Sequence, residues 1–226
     1  MKLVKHILIR GTIHCLTGLR IGGSKDQVDI GGIDNNIIRH PITGEPYIPG
    51  SSLKGKMRSL LEYRYSQEIK NGPCSCNTVE RHCPVCEYFG SRKETNAPTR
   101  VLVRDAKMSP ASRKWLTEAP IDQVFNYAEV KWENVIQRKS GSATPRQQER
   151  VPAGTEFVFE ISIRVFDIDN EEDLINFVLE GMELLQKDYL GSSGGRGYGQ
   201  IQFQNVTIDD KMCDRFKNRT GNDQDE

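Results

Sequence analysis

The stretch CSCNTVERHCPVC, residues 74 to 86, holds four cysteines and a histidine within one short polar segment. Cys74 and Cys76 form a C-x-C pair, and Cys83 and Cys86 form C-P-V-C. A C-x-x-C turn can aim two thiolates at one tetrahedral zinc, with Zn–S near ~2.3 Å. Cys74 and Cys76 take the other two positions in this reading, and His82 competes for the fourth. His82 directly precedes Cys83, and adjacent side chains tend to diverge, which favours the cysteines. No carboxylate in the segment is poised to activate water, so the expectation is a closed structural site. The plainer alternative is a set of reduced loop thiols. Cys15 and Cys213 stand alone and read as packing residues.

A second group of residues could hold phosphates. IPGSSLKGKMR puts Lys54, Lys56 and Arg58 in the first turns of an expected helix, where free N–H groups and the helix dipole favour anions. The competing reading is a solvated basic face. GSSGGRGYGQ offers Arg196 to a phosphate and Tyr198 to a base. It follows a helix and precedes a strand, so it fits no dinucleotide or Walker fingerprint, and a tight turn with a surface arginine explains it equally. Asp34, in GIDNN, reads by itself as a turn residue bonding the backbone. Asp26 and Asp29 share its loop, and Asp105 ends a strand beside Arg104.

The elements that must position these groups follow from periodicity. VKHILIRGTIHC alternates as a strand, and a glycine-rich loop over residues 17–50 follows it. SSLKGKMRSLLEYRYSQEI reads as a helix capped by Ser51 or Ser52, with Leu53, Met57, Leu60 and Leu61 on one face. TRVLVRDA is a strand. VKWENVIQRKSGSATPRQQERVPAGTEFVFEISIRVF reads as a strand, a long polar excursion and a longer strand, together an extended hairpin. NEEDLINFVLEGMELLQKDYL is a second helix, capped at Asn170, with Leu174, Phe177, Val178, Leu184 and Leu185 inward. IQFQNVTI closes the set. Stripped of insertions the order is β-α-β-β-α-β, the ferredoxin-like, RRM-type arrangement of an α+β fold. Residues 1–210 form one domain in this reading, and 211–226 a polar, disordered tail.

The 226 residues carry 31 Lys+Arg against 31 Asp+Glu, so any nucleic-acid site must be a local patch. No apolar run is long enough to cross a bilayer. The amino terminus lacks the apolar core of a signal peptide, which points to the cytoplasm, where thiols stay reduced. An aromatic RNP1 segment is missing, which disfavours a stand-alone single-stranded RNA-binding module. So is H-E-x-x-H, which disfavours a small-molecule metalloenzyme.

TGLRIGG, GGID, PYIPGSSLKGKMRSLLE, CPVCEYFG, VRDA, PRQQERVPAG and GGRGYGQI occur here in one order. In this the chain resembles the repeat-associated (RAMP) superfamily, and within it the repeating backbone subunit of type III-A (Csm-type) CRISPR effector complexes. The likeness runs from the first strand to about residue 207. It implies an RRM-like palm, a zinc-stabilised lid at residues 71–99 and a thumb hairpin at 130–151. It also implies partners: guide CRISPR RNA, target RNA, further copies of the chain in a filament, and other subunits of the complex. The resemblance puts target cleavage on Asp34, which would bind hydrated Mg²⁺ or another divalent cation beside the scissile phosphate while the RNA 2′-OH attacks in line. His40 stands where an aspartate is often seen, leaving the ligands around Asp34 open. Guide contacts would fall on Arg20, Lys54, Lys56, Arg58 and Arg196, and the thumb contributes Arg138, Lys139, Arg146 and Arg150. The alternative within the family is a guide-binding filament that does not cut.

Overall fold

The computed structural model describes residues 1–23, 36–65, 74, 83–90, 98–120 and 124–216. In chain order these form β1 (Leu3–Cys15), β2 (Tyr47–Ile48), α1 (Gly50–Tyr65), α2 (Pro84–Phe89), β3 (Val101–Val103), β4 (Ala106–Met108), α3 (Pro110–Glu118), β5 (Glu129–Ile136), β6 (Ala143–Arg150), β7 (Glu156–Phe166), α4 (Glu171–Lys187), β8 (Ile201–Ile208) and β9 (Lys211–Met212). The fold is mixed α+β around an antiparallel sheet ordered β2-β4-β7-β1-β8-β9, with β3 also on β7.

Strand β1 alternates, and its odd-numbered residues Ile7, Ile9, Ile13 and Cys15 are buried. They pair in register with Ile163, Ile161 and Phe157 of β7 and with Phe203 and Ile201 of β8. The period of two therefore gathers one continuous apolar face. Leu53, Met57 and Leu61 of α1 and Leu174, Val178, Met182 and Leu185 of α4 are buried with it in one core. Burying each such side chain contributes roughly 1.5–3 kcal/mol. Gly181 lets the two helices approach, since a Cβ there would sit 3.0 Å from Leu61 Cδ1. The opposite face stays polar, with Arg10 bonded to Glu160 across the strands at 2.9 Å.

Asn170 caps α4 as expected, its Oδ1 accepting from Glu172 N and Asp173 N. Three expectations change. The long strand β7 does not pair with β5. Instead PRQQER belongs to β6, which zips onto β5 as a separate two-stranded sheet, and β7 runs through the middle of the main sheet. The turn at Gln137–Ser142 closes the hairpin locally, so β5 and β6 meet before β7 begins. Helix α3, missed in sequence, starts at Ser109, whose hydroxyl accepts from Ser112 N at 3.1 Å. Residues 211–216, expected in a disordered tail, carry structure. Lys211 and Met212 pair with β8, and Phe216 is buried edge-on to Phe203 at 5.9 Å.

One buried ion pair ties distant segments together. Arg100, 1% exposed, donates to Asp169 Oδ1 at 3.0 Å, to its Oδ2 at 3.2 Å and to Pro98 O at 2.9 Å. It joins the end of the cysteine-bearing insertion to the turn between β7 and α4.

Candidate nucleic-acid interface and cysteine cluster

Helix α1 does not begin on Ser51 or Ser52. Ser52 N and Leu53 N donate to Pro49 O, and the Gly50 N–H donates to Asp105 Oδ1 at 2.7 Å. A Cβ on Gly50 would strike the Val103 carbonyl, so glycine lets the helix start against the β3–β4 connection. That contact brings Asp105, in the β3–β4 connection, close enough to cap the helix. The anion-favouring end of α1 is thus filled by the chain's own carboxylate.

The basic residues of α1 divide. Lys54 Nζ donates to Val101 O at 2.8 Å and to Thr99 Oγ1 at 3.3 Å, beneath the cysteine-bearing insertion. Burial first, then the positive charges of Arg58 and Arg164, lowers its pKa. Arg58 pairs with Glu62 at 2.7 Å and donates to Cys74 O at 2.8 Å. Lys56 points elsewhere, pairing with Asp188 at 3.0 Å over the Tyr189 ring.

Three thiols converge. The Sγ atoms of Cys74, Cys83 and Cys86 lie within 4.8 Å of one another, and Cys74 and Cys83 are 4.0 Å apart. Thiolates on one tetrahedral zinc stand about 3.8 Å apart, so the cluster could hold a metal ion. Cys83 immediately precedes α2, whose first residue is Pro84, and Cys86 lies in its first turn. Cys76 and His82 lie outside the described residues. Cys15 and Cys213 are buried; burial pushes the Cys15 thiol up to about 12.

The base of the β5–β6 hairpin gathers the remaining cations. Arg196 Nη1 and the Tyr198 hydroxyl both donate to Glu133, at 2.8 and 2.6 Å. Arg150 pairs with Glu129 at 2.6 Å and lies 4.9 Å over the Tyr198 ring, so Tyr198 supports cations here and is itself buried. The Tyr198 phenol is pushed up to about 12 by burial and by the Glu133 carboxylate. Gly199, at φ +72, fits where a Cβ would strike Leu190 O. Arg20 donates to Ser192 Oγ at 3.3 Å on the same loop. Arg138, Lys139 and Arg146 are exposed toward the hairpin tip. On the other hairpin face Val130, Trp132 and Ile136 are also exposed.

Asp34, with Asp26 and Asp29, lies outside the described residues. Ile37, just beyond that loop, donates its N–H to Glu149 Oε2 of β6 at 2.8 Å, and Arg39 pairs with Glu149 at 2.6 Å. His40 Nδ1 accepts from Ile42 N and Thr43 N, shaping its own turn. Sequence reasoning missed the carboxylates Glu129, Glu133 and Glu149. The alternation of EVKWENVI puts Glu129, Lys131 and Glu133 on one face of β5, a signal present in the sequence. Their partners are far away along the chain and left no such signal.

Residues 12–202 match the family model for the RAMP superfamily. The chain belongs to the RAMP superfamily and, within it, to the group of Csm3 proteins. It is 43% identical to a protein of Methanothermobacter thermautotrophicus named CRISPR system Cms endoribonuclease Csm3, over 98% of this chain and 93% of that one. A protein of the same name from Streptococcus thermophilus is 40% identical over 84% of this chain and 83% of its own length. Among solved structures, a Csm3-Csm4 subcomplex of the type III-A CRISPR-Cas interference complex superposes with a TM-score of 0.57 at 30% identity, covering 92% of this chain and 80% of that chain. Methanopyrus kandleri Csm3 gives 0.61 at 27%, covering 88% and 75%. No helix among the described residues is long and apolar enough to cross a membrane.

Proposed function

We propose that the chain is the repeating backbone subunit of a type III CRISPR effector complex, which holds guide RNA along a filament of copies and cuts complementary target RNA at regular intervals. The observation that carries this reading is 39–43% identity, over 84–98% of this chain, to proteins named as Csm3 endoribonucleases. The strand order β8-β1-β7-β3, antiparallel throughout with α1 and α4 against one face, supports a ferredoxin-like palm. The free-standing β5–β6 hairpin supports the thumb, with Arg138, Lys139, Arg146 and Arg150 on it. Lys56, Arg20 and Arg196 serve the guide backbone. Lys54 and Arg58 act in part through the lid, since their heads already bond to Val101, Thr99 and Cys74. Asp34 is the residue for cleavage; a divalent cation held there would supply charge neutralisation at the scissile phosphate. The protein works in the cytoplasm, with the other subunits of the complex.

Complexes reconstituted from this chain, its partner subunits and one guide are expected to cut a labelled complementary RNA at evenly spaced positions. A single cut, or none with the guide bound, would sink the reading.

In the lid, Cys74, Cys83 and Cys86 hold one zinc, with Cys76 as the fourth ligand. Zinc ligation there is folding free energy, because the metal would join Cys74 to the turn that carries Cys83 and Cys86. Cys83→Ser is expected to lower zinc content to near zero and to depress Tm, as is chelation of the native protein. Freshly purified protein without stoichiometric zinc by elemental analysis would contradict this.

A further inference from the structure

The Glu133 carboxylate is the meeting point of three donors. Tyr198 OH reaches its Oε1 at 2.6 Å, Arg196 Nη1 its Oε2 at 2.8 Å and Lys131 Nζ its Oε1 at 3.5 Å. Two cations and a hydroxyl around one anion are what a phosphate-binding pocket needs, because a phosphate presents the same negatively charged acceptor oxygens. We propose that this is a site for one phosphate of an RNA backbone, filled in the free chain by Glu133, which RNA binding displaces. The inference rests on the RNA-binding reading above and deepens it.

The local geometry favours exchange. The Glu133 side chain is only 12% exposed, whereas Arg196 is 57% exposed, so a phosphate can reach the guanidinium from solvent before the carboxylate leaves. Gly195 and Gly197 have open space where a Cβ would stand, so a backbone can pass close to the loop. The Tyr198 ring, 1% exposed and flanked by Lys131 at 4.7 Å and Arg150 at 4.9 Å, fixes where the hydroxyl points. Glu133 sits on the hairpin, and Arg196 and Tyr198 sit on the loop before β8. Displacing the carboxylate therefore also loosens one tie between thumb and body. A single anion competes poorly with a tethered carboxylate. An RNA strand that engages several cations at once does so readily, because each contact releases counterions. The filled site thus disfavours stray anions and admits an extended strand.

The test uses the full chain, a labelled 20-nucleotide oligouridylate, and anisotropy across a salt series. Glu133→Gln keeps an acceptor for Tyr198; Glu133→Asp keeps the charge but withdraws it from Arg196. Both are expected to tighten binding severalfold at low salt and to steepen the slope of log K against log salt by about 0.7, one phosphate on a single strand. Arg196→Gln should weaken wild-type binding and bring the Glu133→Gln chain down to the same level, erasing the whole gain. Wild-type slopes in both Glu133 variants, or additive effects of the two substitutions, would overturn the inference and leave Glu133 as a hairpin strut. If the wild-type chain itself does not bind the oligouridylate, the RNA reading fails together with the inference. Wild-type binding with unchanged Glu133 variants removes the inference alone.

Discussion

Complexes carrying Asp34→Ala are expected to bind a complementary target as well as wild type, or slightly better, and to cut it orders of magnitude more slowly. The reasoning is electrostatic. Losing a carboxylate that anchors a cation removes charge stabilisation needed only as the phosphate reacts, which costs rate and not affinity. Removing one negative charge near a polyanion favours binding and offsets the loss of the cation. Just downstream, Ile37 N–H and Arg39 are both held by Glu149 of β6. The substitution should therefore leave the surroundings in place. EDTA added to wild-type complexes should reproduce the loss. The measurement is single-turnover cleavage of labelled RNA with binding followed in parallel. Cleavage at the wild-type rate, or joint collapse of binding and assembly, would reduce Asp34 to a turn residue.

The largest expected effect on stability belongs to the Arg100–Asp169 pair. Both side chains are at most 2% exposed, so neither charge has water to fall back on. Breaking a buried pair by removing one partner costs about 3–5 kcal/mol, because the remaining charge stays buried without compensation. Asp169→Ala should cost that much, and it also strips an acceptor from Phe166 N, bonded at 3.0 Å. Arg100→Met should cost about as much, since it leaves the Asp169 carboxylate buried without its cation and loses the guanidinium contact with the Phe166 ring at 5.1 Å. Urea unfolding of the full chain gives both values. A midpoint for Asp169→Ala within error of wild type would mean that water reaches the pair.

Some of this molecule is written locally. The alternation of VKHILIRGTIHC and the helical spacing of Leu174, Phe177, Val178 and Leu185 locate β1 and α4, because burial periodicity is a property of consecutive residues. Asn170 announces its helix for the same reason, bonding N–H groups two and three residues away. The C-P-V-C spacing brings Cys83 and Cys86 onto one turn of backbone, so half of a metal cluster is legible before folding. The motif order RIGG, GSSLKGKMR and GGRGYG likewise carries the family membership in the sequence itself.

What only the tertiary structure decided are the partners of charges. Asp105 caps α1 from 55 positions away, displacing the serines that local rules favour. Glu133 and Arg196 are separated by 63 positions and Arg100 and Asp169 by 69. An ion pair imposes no periodicity on the residues around it and depends on which surfaces the sheet brings together. β6 was hidden from periodicity for a related reason, although the family resemblance implied a hairpin at residues 130–151. PRQQER carries no apolar alternation, and its strand exists because the turn at Gln137–Ser142 returns it to β5, whose backbone supplies the missing hydrogen bonds. Sequence periodicity placed the buried faces; chain closure and electrostatic matching across the fold decided which basic residues face solvent and which are already held.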